Sequence, residues 1–153
     1  MSDERFTLDT NILVYSVDRT AGARHDRAVT IVRRAVLADC WLTLQAVSEF
    51  YAVVTRKSVM TPVEAGRVAG YWLDVFPSIA ATAAAVRAAL LSAIDRRASY
   101  WDTLLVATAA EGGCAAILTE DLSDGSMIHG VRVANPFADA HPSPLVSRLL
   151  AQE

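Results

Sequence analysis

Lysine is almost absent from this chain: Lys57 stands alone, and every other fixed positive side chain is arginine. With a net charge of −3 there is no general field to gather a polyanion, so a phosphate-bearing partner has to be held by local groups. Cysteine is scarce as well. Cys40 and Cys114 are the only two and form no Cys-x-x-Cys pair, which argues against a disulfide framework. His25, His129 and His141 lack the His-Glu-x-x-His spacing of a zinc helix. The longest apolar stretch, around Ala80 to Leu91, is broken by Thr82 and Arg87 and falls short of the ~18 residues a membrane helix needs. No signal-peptide pattern is present, so a reducing cytoplasm is the expected compartment. Missing too are a Gly-x-x-x-x-Gly-Lys loop, a Gly-x-Gly-x-x-Gly turn and a Gly-x-Ser-x-Gly elbow. Nucleotide switching, dinucleotide redox chemistry and esterase chemistry are therefore poorly supported.

What the chain does have is apolar bulk, 53% of 153 residues, enough for one well-buried domain. Short β-like runs alternate with longer helical patterns, which predicts an α/β fold with a central parallel sheet. Phe6 to Leu8 reads as the first strand and Ile12 to Ser16 as a short helix. Arg24 to Leu37 is amphipathic, with Ala28, Ile31, Val32, Ala35 and Val36 on one face. Cys40 to Thr43 reads as a strand. The helix over Leu44 to Thr55 is expected to bury Leu44, Val47, Tyr51 and Val54. Thr61 and Pro62 open a helix to about Leu73 in which Tyr71 and Trp72 are both assigned to packing. Ala80 to Arg97 is alanine-rich and helical, and Ser99 starts a further helix that Gly112-Gly113 ends. Ala115 to Leu118 is all apolar, as a strand buried on both faces should be, and Val131 to Ala134 reads as a last strand. Residues 1–137 are read as the functional domain, and residues 138–153 as a tail with a small helix attached to it.

Against that apolar background four acids stand out. Asp9 follows the first strand, Glu49 sits in a helix among Ala46, Val47, Phe50 and Tyr51, Asp102 lies in Trp101-Asp102-Thr103-Leu104-Leu105, and Asp121 follows the Ala115 to Leu118 strand. Carboxylates are seldom buried unless paired or metal-bound, because desolvating the charge is costly. Ligands of parallel α/β sheets gather beyond the C-terminal strand ends, where Asp9 and Asp121 both fall. Capping is a competing role for Asp9, and for Asp102, because Ser99-x-x-Asp102 has the form of a capping box. Oxygen ligands without histidine or thiolate suit magnesium or manganese, ions that stabilise charge on a phosphoryl oxygen and acidify water.

Asp9-Thr10-Asn11-Ile12-Leu13, the mid-chain Glu49, Trp101-Asp102-Thr103-Leu104-Leu105-Val106-Ala107, Thr119-Glu120-Asp121-Leu122 with Gly125, and Asn135-Pro136-Phe137 together resemble the PIN-domain ribonucleases, most of all the VapC-type toxins of toxin–antitoxin pairs. The resemblance runs from about Phe6 to Phe137 and implies a three-layer fold and metal-dependent hydrolysis of RNA. It carries Asp9, Glu49, Asp102 and Asp121 onto catalytic and metal positions, Asp124 onto a more variable fifth metal position, and Thr10, Asn11 and Thr119 onto polar positions beside the acids. A homodimer and a cognate antitoxin are also implied. An antitoxin arginine or lysine would enter the acidic pocket, with the helix from Pro62 to Leu73 as docking wall. Nothing in the resemblance assigns a role to the tail.

Other readings are set against this one. A receiver-type signalling domain wants a lysine after a late strand, whereas Lys57 lies in mid-chain. A haloacid-dehalogenase-like phosphatase wants an Asp where Asn11 stands. A non-catalytic PIN-like RNA-binding or interaction module would share the fold without the chemistry.

Overall fold

The computed structural model describes residues 4–151; residues 1–3 and 152–153, the outer ends of the two segments named above, lie outside the described residues. Strand β1 (Phe6–Leu8) is buried on both faces. It pairs in parallel with β4 (Ala116–Leu118), which pairs in parallel with β6 (Val131–Ala134). β5 (Met127–Ile128) closes the edge antiparallel to β6, giving the order β1-β4-β6-β5. On the other side of β1, Phe6 bridges to Cys40, and Trp41 N donates to Phe6 O at 3.0 Å. β1 is therefore an interior strand. From there β2 (Leu42–Thr43) pairs in parallel with β3 (Ser78–Ile79).

Helices flank this mostly parallel sheet, and most begin where the sequence offers a side-chain cap. Thr43 caps α3 (Leu44–Arg56), and a full Thr61/Glu64 capping box with Pro62 in the first turn opens α4 (Pro62–Val75). Thr82 caps α5 (Ala83–Ile94), and Ser99 caps α6 (Tyr100–Glu111). α1 (Thr10–Tyr15), α2 (Ala23–Ala35) and α7 (Pro144–Leu149) complete the set. The main core joins Phe6, Leu8, Leu13, Phe50, Trp72, Ile117 and Val133. α5 packs on α6 through a smaller cluster of Ala85, Ala89, Leu104 and Ala107. Cys40 and Cys114 are free and buried, and burial pushes both thiols up, Cys114 to about 12.

Several expectations need correction. The helix read over Ala80 to Arg97 is shorter, because Thr82 takes the cap and β3 uses Ser78 and Ile79 before it. α3 buries Val47 and Val54 of the expected stripe, but Leu44 and Tyr51 are exposed and Ala46 and Phe50 take their place: the buried face is rotated, so that it keeps half of that stripe. Of the aromatic pair in α4, Trp72 packs edge-on against Phe50 with ring centroids 4.6 Å apart, whereas Tyr71 is 56% exposed. Adjacent helical residues point about 100° apart, so one core contact rarely holds both. The tail is tied down. Val146, Leu149 and Leu150 enter the main core, and Arg27 donates to the carbonyls of Pro136, Asp139 and Ala140 at 2.6–2.8 Å. No helix among the described residues is long and apolar enough to cross a membrane.

Candidate functional site

Because Leu8 lies opposite Leu118 in register, the residues that follow the two strands, Asp9 and Thr119, emerge side by side. Asp9 N donates to Leu118 O at 3.0 Å, and Thr119 Oγ1 donates to Asp9 Oδ2 at 2.6 Å, joining positions 110 apart in the chain. Thr10 N donates to Asp9 Oδ1 at 2.7 Å, so Asp9 also caps α1. Its carboxyl is pushed up to about 6, chiefly by burial, with repulsion from Asp121 and Asp102 adding to it and the Thr119 and Thr10 hydrogen bonds opposing it.

The other acids are held by donors drawn from the same strand ends and from α3. Thr10 Oγ1 donates to Glu49 Oε2 at 2.9 Å, and Gln45, one turn earlier in α3, donates from Nε2 to Glu49 Oε1 at 2.9 Å. Asn11 Nδ2 donates to Asp121 Oδ2 at 2.7 Å, while Asp121 N donates to Thr119 Oγ1 at 3.1 Å. Thr119 is thus a hub, giving a proton to one acid and receiving one from the backbone of another. Asp102 N donates to Ser99 Oγ at 3.1 Å, so the cap read from the sequence is made. Its carboxyl is raised first by burial, opposed by the bond to Ser99, and then by the charges of Asp121 and Glu49. Capping and membership in the acidic group coexist in Asp102.

Repulsion links Asp9 to Asp121 and Asp102, and Asp102 in turn to Asp121 and Glu49. Among the described residues, however, no three Asp, Glu, His or Cys side chains close into a group that could hold a metal ion. Thr10 stands between Asp9 and Glu49, and Thr119 links Asp9 to the backbone of Asp121. Asp124 is engaged elsewhere: its Oδ1 accepts from Asn135 N at 2.9 Å, tying the loop after β4 to the end of β6. Among the described residues no arginine, lysine or histidine pairs with Asp9, Glu49, Asp102 or Asp121, and the ion pairs present involve Asp39, Glu120, Asp95 and Glu4. An all-oxygen donor set with mutual repulsion and no basic counter-charge fits a hard divalent cation in charge and in ligand chemistry.

The profile of the PIN domain family matches residues 6–123, the stretch that carries all four acids. The chain belongs to the PIN-domain family. Among solved structures this PIN domain is similar to VapC20 of Mycobacterium tuberculosis, described as a sarcin-ricin loop cleaving toxin, with 16% identity, a TM-score of 0.59 and coverage of 73% of this chain and 86% of that one. It is also similar to VapBC2 of Rickettsia felis bound to a promoter DNA fragment, with 14% identity, a TM-score of 0.61 and coverage of 86% and 98%. DNA-bound VapBC of Salmonella typhimurium gives 15% identity, a TM-score of 0.59 and coverage of 85% and 96%. At these identities the likeness is one of fold. No curated protein matches the sequence.

Sequence reasoning passed over a second group of residues that braces this PIN domain's acidic loop. Glu120 accepts from the Tyr15 hydroxyl and from Arg24 Nε, the latter at 3.0 Å, and Tyr15 packs edge-on against Phe137 with centroids 5.5 Å apart. The Tyr15 hydroxyl is pushed up to about 12 by burial and by Glu120. This clasp fixes the residue directly before Asp121. Tyr15→Phe removes one of the two holds on Glu120. The expected loss is about 1 kcal/mol, read as a fall of about 2–4 °C in thermal denaturation. An unchanged midpoint would show that Arg24 alone holds the loop. Gln45 was also missed, although its position four residues before Glu49 is the spacing at which helix side chains meet.

Proposed function

We propose that this protein is a magnesium- or manganese-dependent endoribonuclease and the toxin of a toxin–antitoxin pair. Family membership supports the reading, and one observation carries it: Asp9 is buried, its carboxyl is raised to about 6, and Asp121 and Asp102 press on it without a basic partner. Asp9, Asp102 and Asp121 would hold the cation, with Glu49 completing the site, and Asp124 would join as the variable fifth ligand only on giving up its bond from Asn135 N. A divalent ion bound there supplies neutralising charge at a phosphoryl oxygen and acidifies water. Thr119 and Thr10 orient the two oxygens of Asp9. Asn11 sets Asp121, and Thr10 with Gln45 sets Glu49, which would take a proton from water as the water oxygen bonds to phosphorus, while the P–O bond to the leaving oxygen breaks and that oxygen takes up a proton from solvent.

The implied antitoxin would inhibit by presenting an arginine or lysine to the same acids, with the exposed Tyr71 of α4 as part of its seat. The exposed Leu90, Leu91 and Ile94 of α5 offer apolar surface that a second copy would cover in a homodimer. A cytoplasmic location would accord with an RNA substrate.

The separation of the carboxylates is the observation on the side of a non-catalytic module. A metal series decides between the two. Purified protein is expected to cut cellular RNA with magnesium or manganese, to lose cutting in chelator, and to regain it when either ion is restored; brief expression should arrest growth and antitoxin coexpression relieve it. Cutting that persists in chelator, or RNA left intact with every divalent ion tried, removes the metal-dependent reading.

A further inference from the structure

Trp101 is 59% exposed, an unusual position for the largest apolar side chain, and it stands one residue before Asp102. It forms one wall of an open groove whose other lining residues are Gln45, Ser48, Glu49, Ala52 and Leu104. Glu49 belongs both to that groove and to the acidic site, so the two are continuous. The indole does not hang loose. Tyr100 meets it edge-on with centroids 5.0 Å apart at 82°, and Tyr100 itself packs on the α5/α6 cluster. Gln45 Nε2, besides holding Glu49, donates to Trp101 O at 3.1 Å. The backbone beneath the indole is thus tied to a residue that positions the acid. Gln45 Oε1 is buried without a hydrogen-bond partner, leaving an acceptor beside the groove unspent.

No basic side chain lines this groove, and the chain carries a net charge of −3. A polynucleotide brought to the acids gains little there from phosphate attraction. A flat, propped aromatic face supplies attraction of another kind, because every base has a π-face and stacking does not require the backbone to be neutralised. We propose that Trp101 is a stacking platform for an unpaired RNA base flanking the scissile phosphate, with Leu104 and Ala52 as its apolar floor and the Gln45 amide beside the base edge. This deepens the ribonuclease reading and rests on it. It also gives the groove a selection rule: single-stranded or looped RNA enters, while a base kept in a duplex stack cannot reach the indole.

The test uses full-length protein in an Asp9→Asn background with magnesium, so that RNA is not consumed, and follows anisotropy of a labelled, unstructured RNA oligonucleotide. Trp101→Ala is expected to weaken binding about ten-fold or more, within the range of single base–aromatic stacks. Trp101→Leu, which keeps apolar bulk without a ring, should lose nearly as much, and Trp101→Phe should keep most of the affinity. In the active protein the same substitutions should raise KM more than they lower kcat. Leu binding as well as Trp, or Ala binding like the parent, overturns the proposal. So does an effect confined to elution volume in gel filtration or to antitoxin binding, which would make the indole a protein contact. RNA that binds with the expected Trp101 dependence but is never cut by the wild type sinks the ribonuclease reading and leaves the platform standing. Cutting with no dependence on Trp101 does the reverse.

Discussion

Asp9→Asn is expected to abolish RNA cleavage and, measured in chelator at pH 7.5, to make the protein more stable. The two effects have one cause. Asp9 carries its charge in a buried place beside Asp121 and Asp102, and its carboxyl is raised from 3.8 to about 6. In the unfolded chain the group ionises near its ordinary value, so between pH 3.8 and about 6 the native state binds the extra proton. Wild-type stability therefore falls as pH rises through that window, and above it the whole penalty is present. The gap between 3.8 and about 6, at about 1.4 kcal/mol per pH unit, sets that penalty at up to about 3 kcal/mol. Asparagine carries no charge and escapes it, less what is lost because its amide is a poorer acceptor for Thr119 and Thr10. The difference between variant and wild type should be small near pH 4 and largest above pH 6.5, read by denaturant unfolding across that range. A variant destabilised equally at both ends would mean that the hydrogen bonds to Asp9 outweigh the repulsion around it.

The opposite sign is expected for Thr119→Val. Thr119 is fully buried, donates to Asp9 Oδ2 and accepts from Asp121 N, so losing its hydroxyl strips one acid of a donor and leaves the backbone of another without an acceptor. Hydrogen bonds to charged groups are worth about 1.5–3 kcal/mol, and valine fills the space without making either bond. A fall of about 2–3 kcal/mol in unfolding free energy is the expected result. Supporting groups of this kind typically carry 10- to 100-fold in metal affinity or activity, so cleavage should drop by about that factor. Thr119→Ser keeps the hydroxyl and should restore most of both. If Ser fails where Thr succeeds, the methyl packing of Thr119 matters more than its hydrogen bonds.

The acids were legible because each interrupts an apolar context, and a charge in such a place needs a reason. Strand β1, α6 and β4 were legible for a related cause: their composition leaves little choice about what they bury. β3 and β5 were not, since two-residue strands such as Ser78–Ile79 and Met127–Ile128 have no period to read. The face of α3 was misjudged because apolar residues run around much of the helix, so Tyr51 and Phe50 compete on equal terms until α4 settles which meets Trp72. Nor could one sequence pair Glu120 with both Tyr15 and Arg24, or show that Gln45 reaches the backbone of Trp101. Those are facts of tertiary placement.

Because β1 is interior, its sheet cannot close until segments far apart in the sequence have both been synthesised. β1 has no neighbour until Cys40 and Trp41 arrive on one side, and its other side stays bare until Ala116 to Leu118 have been synthesised. Asp9 is translated 110 residues before Thr119 and meets it, and Asp121, only after β4 has been made. Long-range closure of this kind is slow and comes late. A product that stops before β4 carries Asp9, Glu49 and Asp102 but lacks Thr119 and Asp121, so Asp9 is left without its hydroxyl donor and without the neighbour that repels it most.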